Sequence, residues 1–264
     1  MKCHQQKLCV GFNFLFDAKE FEINCQITNR KKPRNMEKLA SEGKWTFYES
    51  HALAKDCADL YMKGKRKNGV YEIDPDGQGS FNVFCDMTTS SGGWTVFQRR
   101  QDGSVDFYRD WRDYKNGFGD LKGEFWLGLD KIYRLTSARR NKLRVDLGDW
   151  SGNKAYAEYD YFAVENEANK YKLSLGAYSG NASNSLSCHK AKAFSTKDSN
   201  NHQSAGNCAT DWKGAWWYCY DNYCYDSNLN GHYYSGNQNN YKGVTWRQWK
   251  GGKSLKFTEM KIKA

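Results

Sequence analysis

Hydrophobic and polar positions alternate along much of this chain, and the places where the alternation stops are as informative as those where it holds. VYEID (70–74), SFNVFCDM (80–87) and WTVFQRR (94–100) are short runs of period two bounded by turn residues. That is the pattern of strands with one face on a core. The PDGQG turn between the first two predicts a hairpin. LRVDL (143–147) and KAYAEYDYFAV (154–164) read as paired antiparallel strands, YKLSL (171–175) as a third, and SLKFTEMKIKA as a closing strand. Two stretches read as helices. Leu53, Cys57, Leu60 and Tyr61 share one face of a helix that Ser50 caps and Gly64 ends. A second, short helix is predicted from about Glu124 through Thr136. The first helix places Cys57 midway along its inward face, so Cys57–Cys85 is the natural bridge to the hairpin. A loop of that size contributes about 3 kcal/mol through the unfolded state.

Between Gly176 and Lys242 the periodicity stops. Residues 206–231, GNCATDWKGAWWYCYDNYCYDSNLNG, hold three of the nine cysteines, three tryptophans and four tyrosines. Leu229 is the one aliphatic residue there longer than alanine. A loop this long is not idle in a compact domain. Rings with polar tips, held by sulfur, suit a binding surface for sugars or other polar ligands. Trp216 and Trp217 are expected to pack inward, whereas Trp212, Tyr223 and Tyr225 are candidates for the surface. Asn181-Ala182-Ser183 is an N-glycosylation sequon in the same loop-rich part.

Composition narrows the class. Mean hydropathy is -0.91 and no apolar run approaches 18 residues, so no membrane-spanning helix is predicted. The cysteines come in short-spaced pairs without the histidines of zinc motifs, which points to an oxidising, extracellular compartment. The start, MKCHQQKLCVGFNFLF, has no apolar core of a signal peptide, and the expectation is a secreted protein whose true start is missing. The net charge of +10 is concentrated at NRKKPR (29–34), KGKRK (63–67) and RRNKLR (139–144). It suggests a polyanionic glycan or an acidic cell surface as a partner, and no nucleic-acid motif accompanies it. No nucleophile–base–orienter set, P-loop or GxGxxG is present, so neither catalysis nor an organic cofactor is expected. A zinc site at His189 or His232 fits no standard spacing.

The motifs carry a family resemblance. DCADLY (56–61), GVYEIDPDG (69–77), FNVFCDM (81–87), GGWTVFQRRQDGSVDFYRDW (92–111), YKNGFGDLKGEFWLGLDKIYRLT (114–136) and LRVDLGDWSG (143–152) are followed by GNCA, GAWWY and SNLNG. In that order they resemble the fibrinogen-related domains of ficolins, tachylectins, tenascins, angiopoietins and the fibrinogen chains, over residues 53–264. The resemblance implies an α+β, disulfide-stabilised fibrinogen C-terminal-like domain. It would have a small N-terminal subdomain, a central antiparallel sheet with short helices, and a loop-rich C-terminal binding lobe. Residues 1–50 resemble the second half of a PAN/Apple module, which implies a Cys3–Cys9 bridge and leaves Cys25 unpaired.

What the family does at its sites maps here residue by residue. The resemblance implies a calcium site before the GNCA cysteine, with side chains at Asn200 and His202 and carbonyls at Ser204 and Gly206. Asp198 flanks the same loop. Calcium prefers several anionic oxygens, and Asn and His in place of two aspartates predict a weakened or absent site. The family's ligand pocket maps to Trp212, Tyr223, Cys224, Tyr225, Tyr241 and Trp249. A Cys208–Cys224 bridge and a cis bond at Tyr223–Cys224 are implied with it. Tyr225 stands where acetyl-group binders usually carry histidine. The Cys208–Cys224 interval is longer than in ficolins and contains Cys219, and Cys188 replaces an aromatic residue, which suggests an added Cys188–Cys219 bridge. The expected function is lectin-like binding of acetylated sugars such as N-acetylglucosamine on microbial surfaces, in innate immunity. The alternative is a matrix or receptor-binding ligand that uses the same lobe against protein. Family members usually act as multimers, so a homo-oligomer is implied.

Overall fold

The computed structural model describes residues 53–202, 206–219 and 224–264 in full, and the backbone of three earlier strands. The chain divides into two units, Met1–Ala52 and Leu53–Ala264. In the first, strands β1 (Gly11–Leu15), β2 (Asn24–Thr28) and β3 (Trp45–Tyr48) form an antiparallel sheet in the order β2-β1-β3. Phe14 is paired with Cys25 in its register. Cys3, Cys9 and the side chain of Cys25 lie outside the described residues.

The second unit is built on one ten-stranded sheet. Its strands are β4 (Gly69–Ile73), β5 (Phe81–Asp86), β6 (Trp94–Arg100), β7 (Phe118–Gly119), β8 (Phe125–Trp126), β9 (Asn141–Gly148), β10 (Lys154–Val164), β11 (Leu173–Leu175), β12 (Tyr178–Gly180) and, after the C-terminal lobe, β15 (Phe257–Lys263). The lobe holds a two-residue ladder, β13 (Ser227–Asn228) with β14 (Thr245–Trp246). The main path runs β11-β10-β9-β15-β6-β5-β4, so the last strand of the chain lies between β9 and β6. Sequence alternation becomes burial alternation on β9, where Asn141, Leu143, Val145 and Leu147 are buried and the residues between them are not. Among the described residues the five α-helices are short: α1 (Cys57–Met62), α2 (Trp111–Asn116), α3 (Leu129–Ala138), α4 (Cys208–Asp211) and α5 (Arg247–Lys250).

Two helix expectations change. The first helix begins at Cys57, capped by Asp56, whose carboxylate accepts the Asp59 N–H at 2.8 Å. Cys57 is therefore its first residue rather than its middle, and Leu53 lies outside the helix, partly exposed. An ionised Asp three residues before an acceptor-seeking N–H caps better than a distant Ser. The second helix starts at Leu129, because Phe125 and Trp126 pair with β6 and β7 as strand. Gly128, with φ of 110°, makes the turn between the two.

Strand β6 is buried along all seven residues, although Gln98, Arg99 and Arg100 are polar. Each finds partners. Gln98 Nε2 donates to the Leu229 carbonyl and to Asn230 Oδ1, and Arg100 donates to the carbonyls of Leu229 and Gly231. Arg99 pairs with Glu259 at 2.8 Å. The polar half of a central strand thus fastens the SNLNG loop to the sheet. Behind it, Trp126, Phe194 and Trp217 interlock with Phe97, Phe162 and Tyr114 in edge-on and stacked pairs.

Candidate functional site

The C-terminal lobe has little regular structure, and covalent and polar ties hold it instead. Cys188–Cys219 and Cys208–Cys224 both form, as does Cys57–Cys85 near the start of the domain. His189 sits fully buried beside the Cys188–Cys219 bridge. Its Nδ1 donates to the Trp217 carbonyl at 2.7 Å, and its Nε2 accepts from the N–H groups of Asp226 and Ser227. Both ring nitrogens are occupied in the neutral form, and the two sulfurs that lie with it are joined to each other. The cluster is therefore a clamp rather than a zinc site. Asn228 Nδ2 donates to the Trp212 carbonyl and Asn230 Nδ2 to that of Ala215, which ties SNLNG to GAWW. Gly231 is required at this crossing: a Cβ there would stand 2.3 Å from the Gly243 carbonyl oxygen.

Trp216 and Trp217 are both 0 % exposed, as the sequence predicts. The candidate pocket residues divide. Tyr225 is 3 % exposed, with its ring edge-on to Trp212 at 5.2 Å. Its hydroxyl donates to the Tyr241 carbonyl, and burial pushes that hydroxyl's pKa up. Tyr225 thus fills the place between Trp212 and Tyr241 and offers no unspent polar atom there. Cys224 has φ of 62°, a left-handed value that turns the chain sharply into Tyr225. Tyr223 and its bond to Cys224 lie outside the described residues.

Tyr241, by contrast, is 44 % exposed, and Arg247 lies over its ring at 5.9 Å. Arg247 also donates to the Tyr225 carbonyl and pairs with Asp226. Trp249, half-buried on α5, has the Lys250 ammonium 4.7 Å from its ring. The structure therefore brings Trp212, Tyr225 and Tyr241 together and adds Arg247 beside them, with Trp249 and Lys250 following Arg247 on α5. Arg247 and Lys250 were not among the sequence candidates. Their signal was the RQWK run, two cations flanking an aromatic residue.

The calcium loop does not fit the ion. Asp198 Oδ1 is engaged by the Trp111 N–H at 2.9 Å and the Thr196 hydroxyl at 2.6 Å. Asn200 Nδ2 donates to the Gly206 carbonyl at 3.1 Å, an oxygen the family pattern assigns to the metal, while its Oδ1 accepts from the His202 N–H. His202 is buried, with Nε2 on the Cys219 carbonyl. An amide and an imidazole donate to carbonyls in this loop, where the family pattern has two aspartates, so the described residues fit calcium poorly. Ser204 lies outside the described residues.

A cavity of about 760 Å³ opens elsewhere, on the face of β9, β10 and β15, with Arg144, Asp146, Trp150, Lys256, Glu259 and Lys261 among its walls. Its charges satisfy one another. Lys261 lies 2.6 Å from both Asp86 and Asp146 and 3.0 Å from Glu259, and Arg144 bridges Asp146 and Glu158. None of the sequence-predicted ligand residues lines it.

Comparison with known proteins agrees with this architecture. The profile of the fibrinogen beta and gamma chains' C-terminal globular domain matches residues 53–264. Angiopoietin-related protein 7 of Bos taurus is 51 % identical over 215 residues, covering 79 % of this chain and 61 % of that protein. Tenascin-R of Homo sapiens is 49 % identical over 212 residues, 79 % of this chain and 15 % of tenascin-R. The fibrinogen-like globe domain of human ANGPTL2 superposes with a TM-score of 0.76 at 44 % identity, covering 80 % of this chain and 98 % of that one. The lamprey fibrin D-dimer complexed with the peptide ligand Gly-His-Arg-Pro-amide gives 0.74 at 35 % identity, with 81 % and 74 % covered. The match thus spans less than two thirds of the angiopoietin-related proteins and a small part of tenascin-R.

Proposed function

The chain belongs to the fibrinogen C-terminal globular family, and on that basis we propose that it is an extracellular, non-catalytic recognition protein whose C-terminal lobe contacts a protein partner on a cell surface or in the matrix. The observation that carries this reading is Tyr225. Its ring is buried edge-on to Trp212, and its hydroxyl is spent on the Tyr241 carbonyl, which leaves no ring nitrogen or free hydroxyl proton there for an acetyl group. Nearby, Tyr241 is exposed and Trp249 half-exposed, with Arg247 and Lys250 over their faces. Aromatic residues with arginine are the residues protein interfaces favour at their energetic centres. Both cations are also paired within the chain, Arg247 with Asp226 and Lys250 with Asp149, so the surface offers aromatic and guanidinium contact rather than net charge. The kinship with angiopoietin-related proteins and tenascin-R, and the peptide seated in the lamprey relative, support the same choice over the lectin.

Three disulfides support an oxidising compartment. In this reading the lobe works without calcium, Asn181 carries an N-glycan from an exposed position, and residues 1–50 form a PAN/Apple-like unit. Avidity through a homo-oligomer supplies affinity that one lobe lacks.

The test is binding of the full chain to intact cells and to decellularised matrix, with and without N-acetylglucosamine. Arg247→Glu combined with Trp249→Ala is expected to reduce binding at least about tenfold, the size of one interface anchor. Protease treatment of the surface should abolish binding, and the sugar should leave it unchanged. Competition by millimolar N-acetylglucosamine, or binding that survives protease treatment, would return the lobe to the lectin class.

A further inference from the structure

A second surface, away from the lobe, gathers cations that no carboxylate among the described residues neutralises. Lys142 and Lys263 are directly opposed across the β9–β15 ladder. Like charges in that register destabilise a sheet. Both lie over the Trp94 ring, at 5.0 and 5.9 Å from its centre. Lys263 is also 6.0 Å from the Tyr61 ring, which Arg66 covers at 3.8 Å. Arg66, Lys263 and Lys142 thus form a strip in which each cation shares a ring with the next. Most arginines of the domain pair with a carboxylate, Arg99, Arg134, Arg139 and Arg144 among them. Among the described residues no carboxylate pairs with Arg66, Lys142 or Lys263. Lys65 and Lys67, exposed on the loop that carries Arg66, extend the charge.

The loop against this strip is itself unusual. Ser90, Ser91, Gly92 and Gly93 have φ of 40°, 67°, 65° and 76°, four successive residues in the left-handed half of backbone space. For serine that is strain, and strain of this kind collects at ligand clamps. Lys263 is held by it, donating to the Gly92 carbonyl at 2.7 Å. The exposed Ser90 hydroxyl accepts from Arg144, which leaves its proton to point outward. Burial and the neighbouring Lys142 charge both lower the Lys263 pKa, as expected where cations are crowded without an anion.

We propose that Arg66, Lys142 and Lys263, with the Ser90 hydroxyl, form a binding site for a sulfated glycan chain. A linear polyanion matches a linear strip, a hydroxyl beside cations suits sulfate oxygens, and a disulfide-bonded domain meets sulfated glycans rather than nucleic acid. The site is separate from the aromatic lobe and stands whether or not the lobe binds protein.

The test uses the full chain on heparin resin with a salt gradient, since counterion release makes such binding steeply salt-dependent. The variant R66Q/K142Q/K263Q should elute at clearly lower salt and bind heparin at least about tenfold more weakly at physiological ionic strength. K122Q/K172Q/K190Q, which removes three exposed lysines elsewhere, should elute with the wild type. Lys142→Gln alone should give a smaller shift in the same direction, which keeps the test open if the triple variant folds poorly. An equal shift in the control set would mean that net charge alone binds heparin and would overturn the site. So would a shift confined to neutralisation of Arg30, Lys31, Lys32 and Arg34. Duplex DNA or anionic phospholipid vesicles displacing heparin at equal charge would reassign the strip to phosphates.

Discussion

Single residues decide what this lobe is able to bind. Tyr225 presents a phenol, and the phenol reaches across to the Tyr241 carbonyl. Asn200 does the equivalent at the calcium loop, where its amide donates to Gly206 in the direction from which a cation would attract that oxygen. Chelation should therefore leave the protein unchanged. A site held at a hundred times its Kd stabilises by about 2.7 kcal/mol, which for a domain of this size is several degrees of Tm. The expected shift on adding EDTA is less than about 1 °C in a thermal melt at neutral pH. A fall of several degrees would show that a metal still holds the loop.

At the scale of elements, β6 joins the two halves of the domain. Its polar end, Gln98 to Arg100, reaches carbonyls at Leu229 and Gly231 more than a hundred residues away. Arg100→Met should leave the Gly231 carbonyl without its donor and the buried Glu124, 3.7 Å from the guanidinium, without its countercharge. A loss of about 3–5 kcal/mol is expected, as for a broken buried ion pair. Limited proteolysis should then cut first between residues 227 and 245, before the sheet opens. Uniform loss of the whole domain would show that the strand does not fasten the lobe specifically. The WTVFQRR run read correctly as strand, but alternation alone places Gln98 and Arg100 outward. The sheet is covered on both faces there, so the polar residues are inside and partnered.

For the molecule as a whole, stability against acid depends on the cluster around Lys261. Burial works to raise the Asp86 carboxyl, but the Lys261 charge and hydrogen bonds from Lys261, Thr89 and Thr88 outweigh it and hold the group well below the usual range. A depressed carboxylate contributes fully above its unfolded pKa, about 3.9, and that contribution is lost as pH falls toward the folded value. Lys261 has its pKa raised: burial opposes the charge, and Glu259, Asp146 and Asp86 more than offset it. Its contribution is present below the unfolded value of about 10.4 and is lost as pH rises beyond it. Denaturant midpoints should therefore form a plateau between about pH 5 and 10. Lys261→Met should lower that plateau by about 3–5 kcal/mol and flatten its acid edge. An unchanged acid edge in the variant would assign the acid transition to other groups.

Much of the fold was legible in the sequence because local pattern and global role agree there. Period-two runs became β4, β5, β6, β9, β10, β11 and β15, and the inward cysteines of the helix and hairpin joined. The added Cys188–Cys219 bridge was legible from an extra cysteine in a lengthened loop. The helix starts were not, because Glu124–Trp126 satisfies a helical and a strand pattern equally until β6 pairs with it. The chemistry of the lobe was least legible. Composition marked it as a binding surface, but whether Tyr225 faced solvent or a carbonyl depended on the chain returning through Tyr241, sixteen residues on. The same holds for the cationic strip. KGKRK is visible as charge, yet only strand register sets Lys142 opposite Lys263, and only packing lays Arg66 over Tyr61. Sequence determined which residues repeat with the period of a strand and which carry charge, since both are local properties. Tertiary structure decided which polar atoms are already spent and which charges lack a partner, since those depend on contacts between distant segments.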